Sequence, residues 1–346
     1  MKAVRIHNHG DISELKWESI PRPRLNKSGD DILVRIVASS INHLDIWVRK
    51  GIPGVPLPLI LGSDGAGIVE SCGNKVSEFN PGDEVIVQPL TFCGTCDQCL
   101  NGLENYCSKM GILGKTMNGT QCEYLKLNSF QLRQKPPHLS FPDAAAFSLV
   151  TQTAYAMLVK RAKIKPGETV FIWGAGSGVG SMAIQIAHYF GCDVYAAAGT
   201  DEKVSMAKKL GAEKAWNYKN TDIGLMIKKN IGSRGIDVVF EHVGQKTWEV
   251  SKKMLATGGR LVTCGATTGS DVSIDLRHLF MKQQSILGST MSDMQTFDDM
   301  LSLINENVIH PVVDRIVPME KVKDAHEYIE TSGPMGKVVL VNEKPW

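Results

Sequence analysis

The chain has 346 residues, 43% hydrophobic and 21% charged, and its 38 basic and 36 acidic side chains leave a net charge of +2. One hydrophobic core rarely serves so long a chain, and so small a net charge argues against nucleic acid or an anionic membrane as the main partner. No apolar run reaches the length of a membrane span, and the opening MKAVRIHNHG has no signal-peptide stretch, so a cytoplasmic protein acting on a small molecule is expected.

The first part of the chain reads as β-rich. Short alternating runs, Ile32 to Val37, Gly67 to Glu70 and Glu84 to Val87, are separated by turn residues such as Asn80 to Asp83. A barrel-like domain is expected over residues 1–145, with a lobe at about 90–110. In that lobe Cys93, Cys96, Cys99 and Cys107 crowd together, while Cys72, Cys122, Cys192 and Cys264 lie scattered. Four thiolates at short, regular spacing suit one closed tetrahedral zinc site with no position open to substrate, so one structural zinc is expected.

From Lys165 the pattern changes to short buried-strand runs alternating with helical ones, the signature of a parallel sheet with crossover helices over residues 146–290. The strand candidates are Thr169 to Trp173, Asp193 to Ala198, Asp237 to Glu241, Arg260 to Cys264 and Ser285 to Gly288. The first of these runs into a glycine-rich turn from Gly174 to Gly180, followed by apolar residues at helical spacing up to Gly191. Missing Cβ atoms let such a turn approach a pyrophosphate, whose charge meets free N–H groups and the positive end of the helix dipole. Ser177, Gly178, Val179 and Gly180 are therefore candidate cofactor contacts.

The second strand ends at Gly199 and Thr200, with Lys203 just beyond. A small hydroxyl residue and a cation suit a 2′-phosphate better than a bare ribose, so NADP(H) is preferred over NAD(H). Asp201 is the competing carboxylate; its alternative role is to cap the next helix. An amphipathic helical stretch and a last strand, Lys337 to Val341, are expected to return to the first domain over 291–346.

These features together resemble the medium-chain dehydrogenase/reductase superfamily, which includes the zinc alcohol dehydrogenases and the quinone oxidoreductases. The family pattern G-H-E-x2-G-x5-G-x2-V is matched by Gly62, Gly67, Gly73 and Val76, but its His and Glu are replaced by Ser63 and Asp64. The resemblance implies a GroES-like barrel domain plus a Rossmann domain. It also implies that the three catalytic zinc ligands are gone, because Asn42, Ser63 and Leu149 stand at their places. Leu44 replaces the Ser or Thr that relays the alcohol proton.

Loss of that metal points to hydride transfer from NADPH to an activated C=C bond or a quinone. The rival reading is a zinc-dependent alcohol or aldehyde dehydrogenase with atypical ligands, drawn from His43, Asp45 and Asp64. A non-catalytic nucleotide sensor or structural protein is the reading from another class. By resemblance Asn42 is the candidate donor to a developing enolate, with Asp45 and Asp64 as remnants of the old metal site. His43 faces the cofactor pyrophosphate, Thr153 the nicotinamide and Tyr218 the adenosine phosphate, while Gly265 and Ala266 lie beneath the nicotinamide. A homodimer or homotetramer is expected.

Overall fold

The run at 31–41, rich in Ile and Val, folds as one strand of 11 residues, Asp31–Ile41, buried along almost its whole length. It pairs antiparallel with Asp64–Cys72, Tyr124–Asn128 and Lys337–Val341. Irregular register at Leu33/Val34 and Ile36/Ala38 bends it, as bulges do in closely coiled sheets. Gly67 must be glycine here: a Cβ would lie 2.2 Å from the Arg35 carbonyl oxygen on the neighbouring strand. That is a packing reason for one of the patterned glycines.

The computed structural model describes residues 1–342, which divide into two units. The first comprises Met1–Leu149, Asp293–Asp298 and 311–342; the second comprises Val150–Ser292 and Asp299–His310. The expected boundary after 145 thus falls after Leu149. The segment expected to return at 291 is divided, because most of the helix Met294–Asn305 belongs with the second unit. Its buried Met300, Leu301, Leu303 and Ile304 are apolar at helical spacing, so the helix has a face to bury wherever the chain leads it.

In the first unit the main sheet runs, edge to edge, through Leu132–Gln134, Glu84–Val87, Asp64–Cys72, Asp31–Ile41, Lys337–Val341 and Val313–Pro318. One core, with Ile32, Val34, Ile36, Val69, Val85 and Leu125, fills one side. Another, with Ile41, Ile46, Leu61, Val322, Ile329, Val338 and Leu340, joins the sheet to the helices His43–Gly51 and Val322–Ser332.

The second unit is a six-stranded parallel sheet in the order Lys214–Asn217, Asp193–Ala198, Thr169–Ile172, Ile236–Glu241, Leu255–Thr263, Ser285–Gly288. In sequence rank this is 3-2-1-4-5-6, the doubly wound dinucleotide-binding order, whose direction reverses between Thr169–Ile172 and Ile236–Glu241. Among the described residues no helix is long and apolar enough to cross a membrane.

His326 is buried completely in the first unit, and neither ring nitrogen has a hydrogen-bond partner among the described residues. Burial, and then the charge of Arg49, push its pKa down from 6.5 to about 3. The unfolded chain therefore binds a proton that the folded chain does not between those values, and stability falls as pH drops below 6.5. His326→Met should raise the melting temperature, more at pH 5 than at pH 8, by removing two orphan polar atoms that cost about 1–3 kcal/mol. Calorimetry checks this; a lower melting temperature at both values would mean that the ring is hydrogen-bonded in solution.

Candidate functional site

Antiparallel register brings the first cluster together. Ser40 lies opposite Asp64, and Val338 opposite Ile41, so the next pair along the strands sets Lys337 across from Asn42. Asp64 is fully buried, and its Oδ2 accepts from Ser40 Oγ at 3.0 Å, Asn42 Nδ2 at 2.9 Å and Lys337 Nζ at 3.0 Å. Its Oδ1 accepts from the Leu149 N–H at 2.7 Å. The ammonium of Lys337, itself only 4% exposed, also donates to Asn42 Oδ1.

Asn42 precedes the helix His43–Gly51 as its N-cap residue, with its side chain turned to Asp64 and Lys337. Asp45, in the first turn, accepts from the Asn42 N–H at 2.8 Å and the Gly62 N–H at 3.1 Å. Burial raises the Asp45 pKa from 3.8 to about 7, against the two N–H donors and the Lys337 charge, which pull it down. Both carboxylates are 0% exposed, so they act on their neighbours and not directly on a substrate. His43 faces outward from the same helix start and is exposed.

These positions do not fit a catalytic zinc. Asn42 turns its oxygen to an ammonium, Ser63 Oγ donates to the Leu113 carbonyl at 2.8 Å, and Leu149 carries no donor atom. A zinc site of this kind needs three sulfur, nitrogen or carboxylate ligands and an open position. Nor do His43, Asp45 and Asp64 assemble a substitute: among the described residues only the cysteine lobe brings three or more such ligand atoms together.

In the second unit, the strand Thr169–Ile172 leads into the glycine turn and the helix Gly178–Tyr189. Gly174 has φ +59°, and a Cβ there would strike the His242 ring at 2.8 Å. Ser177 caps the helix by accepting from the Gly180 N–H at 3.0 Å, which leaves the Gly178 and Val179 N–H groups without intrahelical acceptors. The backbone thus forms the cradle that a pyrophosphate requires, at the reversal point of the sheet. Gly265 and Ala266 follow the end of Leu255–Thr263, on the same carboxyl side of the parallel strands. Thr153 lies half-buried on the helix Ser148–Tyr155.

At the end of Asp193–Ala198, Thr200 is the N-cap of the helix Asp201–Lys209, accepting from the Lys203 N–H at 3.3 Å. The capping role considered for Asp201 therefore falls to its neighbour. The Asp201 carboxylate accepts from Asn217 Nδ2 at 2.8 Å. Lys203 lays its stem across the glycine turn, where a Cβ on Gly176 would meet its Cδ at 2.5 Å. A Cβ on Gly199 would lie 2.6 Å from Tyr218 Oη and 3.7 Å from Lys219 Cε. Lys203, Tyr218 and Lys219 thus flank the end of the strand.

The cysteine lobe fits a metal well. Bonds of about 2.3 Å on a tetrahedral zinc set sulfurs about 3.8 Å apart. Here Cys96–Cys99, Cys93–Cys107 and Cys93–Cys99 are 3.5, 3.6 and 3.9 Å apart, and all four sulfurs lie within 4.8 Å of one another. The Thr95 and Cys96 N–H groups donate to Cys93 Sγ, and these bonds, led by that from Thr95, draw its pKa down to about 5.

Sequence reasoning missed Lys337, Lys219 and His242. A cation at the head of the otherwise apolar strand Lys337–Val341, buried at every position, was the available signal for the first. His242 follows the fourth strand of the parallel sheet, where the topology marks a ligand crevice, and its ring bonds the Trp173 carbonyl at 2.9 Å.

Metal analysis is expected to give one zinc per chain. Cys96→Ser should release it and lower the melting temperature, while Cys192→Ser, outside the lobe, should retain it. Chelation that abolished turnover with folding and assembly intact would assign the metal to chemistry instead.

Residues 28–137 match the alcohol dehydrogenase GroES-like domain, and residues 178–306 match the zinc-binding dehydrogenase family. A zinc-type alcohol dehydrogenase-like protein of Schizosaccharomyces pombe is 34% identical over 98% of this chain and 99% of its own length. A crotonyl-CoA carboxylase/reductase of Cereibacter sphaeroides is 29% identical over 98% of this chain and 86% of its own length. A crystal structure described as an NAD-dependent alcohol dehydrogenase is 39% identical, with a TM-score of 0.95 over 99% of this chain and all of that one. With both domains matched and a relative above 30% identity along nearly the whole length, the chain belongs to the medium-chain dehydrogenase/reductase superfamily of oxidoreductases.

Proposed function

We propose that this protein is an NADPH-dependent reductase of activated C=C bonds or quinones that works without a catalytic zinc. The observation that carries this reading is the filling of the three ligand positions: Asn42 is bound to Lys337 and Asp64, Ser63 to Leu113, and Leu149 offers only its backbone. Oxidising an alcohol near neutral pH requires stabilisation of an alkoxide, which this donor set does not provide.

When bound, NADPH supplies the hydride. Hydride addition at the β-carbon of an enone would shift the C=C electron pair toward the carbonyl and gather negative charge on its oxygen. Asn42, 7% exposed, gives one Nδ2 hydrogen to Asp64 and has a second for that oxygen. Solvent supplies the proton that completes the reduction. The names of the alcohol dehydrogenase relatives favour the second reading, a zinc enzyme with atypical ligands.

Steady-state assays with NADPH separate the two. Turnover of enones or quinones that survives chelators, with little oxidation of simple alcohols even when zinc is added, is expected; efficient, chelator-sensitive alcohol oxidation would overturn the proposal.

The choice of cofactor rests on Lys203, Thr200 and Tyr218 around the strand end, with the Asp201 carboxylate engaged by Asn217. Lys203→Ala should weaken NADPH about ten- to a hundredfold and NADH little, the effect of one charge-assisted contact. Equal weakening of both would remove the 2′-phosphate from this place.

We also propose a homodimer or homotetramer in the cytoplasm. Ser285–Gly288 is an edge strand with one sheet partner, and Leu276, Phe280 and Met281 nearby are 66%, 64% and 74% exposed. An open edge flanked by apolar side chains favours pairing with a second copy. Phe280→Glu should shift the assembly toward monomer in light scattering; an unchanged mass would place the interface elsewhere.

A further inference from the structure

We propose that Lys337 is a positioning residue whose buried ammonium, paired with Asp64, orients the Asn42 amide so that an N–H and not the carbonyl is offered to the reacting oxygen. This rests on the reductase reading above.

The two ends of an asparagine amide have nearly the same shape, so its neighbours decide which way it points. An ammonium only donates, and a carboxylate only accepts. Lys337 Nζ donates to Asn42 Oδ1, and Asn42 Nδ2 donates to Asp64 Oδ2 at 2.9 Å. Reversing the amide would set N–H against the ammonium and a carbonyl against the carboxylate, both out of water, since Lys337 is 4% and Asp64 0% exposed. Only the observed orientation satisfies both partners.

The pair is also mutually dependent. Without the ammonium, Asp64 would be a buried carboxylate lacking a counter-charge, and Asn42 Oδ1 would lose the donor that fixes its end of the amide. Asp45 faces the same ammonium from the helix that follows Asn42, but its own two N–H donors hold it in place. Strand register, with Lys337 opposite Asn42, is what allows the last strand of the unit to reach the amide.

The test is a double-mutant cycle in the full chain with NADPH, using crotonyl-CoA, 2-cyclohexen-1-one and 1,4-naphthoquinone as probes. Asn42→Ala should lower kcat about a hundredfold, the scale of one lost oxyanion donor. Lys337→Met should lower kcat comparably with KM for NADPH little changed, Lys337→Arg should recover most of it, and the double variant should be no slower than Asn42→Ala alone. Losses that multiply in the double variant, or a Lys337→Met effect confined to cofactor KM, would overturn the inference while leaving the Asn42 donor in place. Wild-type kcat in Asn42→Ala would remove the donor and the positioning inference with it, while the measured turnover would leave the reductase reading standing. Lys337→Gln, read in the same way, replaces the Met variant if that one does not fold. Should none of the probes turn over, a crystal structure at better than about 1.2 Å decides through the amide hydrogens: Oδ1 toward Lys337 supports the inference, and Nδ2 there overturns it.

Discussion

A carboxylate taken out of water must be met by donors or by a counter-charge, and Asp64 is met by both. Ser40, Asn42, Leu149 and Lys337 converge on it from three places in the chain. Removing any one leaves part of a buried charge unanswered, so the strand Asp31–Ile41, the turn into the helix His43–Gly51 and the strand Lys337–Val341 are held in one arrangement. The sheet register sets this geometry, and the carboxylate in turn favours that register over a slip, because a one-residue slip would carry Lys337 to the opposite face.

What the chain reveals by itself is what local chemistry encodes. The glycine turn, its flanking strand and helix, the cysteine spacing and the run Lys337 to Val341 are all contiguous, and the structure has the strands and helix where their periodicity places them. Thr200 as a helix cap is equally local, yet capping was weighed for Asp201 alone; the Thr200 hydroxyl receives the Lys203 N–H.

What remained hidden depends on long-range pairing. Nothing within the run from Lys337 indicates that its ammonium meets a carboxylate 273 residues earlier; only the strand order shows it. The membership of the helix Met294–Asn305 was hidden for a similar reason, since an amphipathic face states that it will be buried but not against what. Asn42, Ser63 and Leu149 were read by resemblance as lost ligands. Their present partners, an ammonium, a carbonyl and a carboxylate, come from residues that no spacing connects to them.

The late position of Lys337 bears on how the protein is made. The strand Asp31–Ile41 and its partner Asp64–Cys72 leave the ribosome well before the strand that bears Lys337, with the whole second unit synthesised in between. Through that interval Asp64 lacks the ammonium that answers it in the folded unit, so burying the carboxylate is costly until Lys337 arrives. The first unit therefore reaches its native packing only after translation has passed residue 341, and until then the second unit, whose sheet strands are contiguous in sequence, can fold ahead of it.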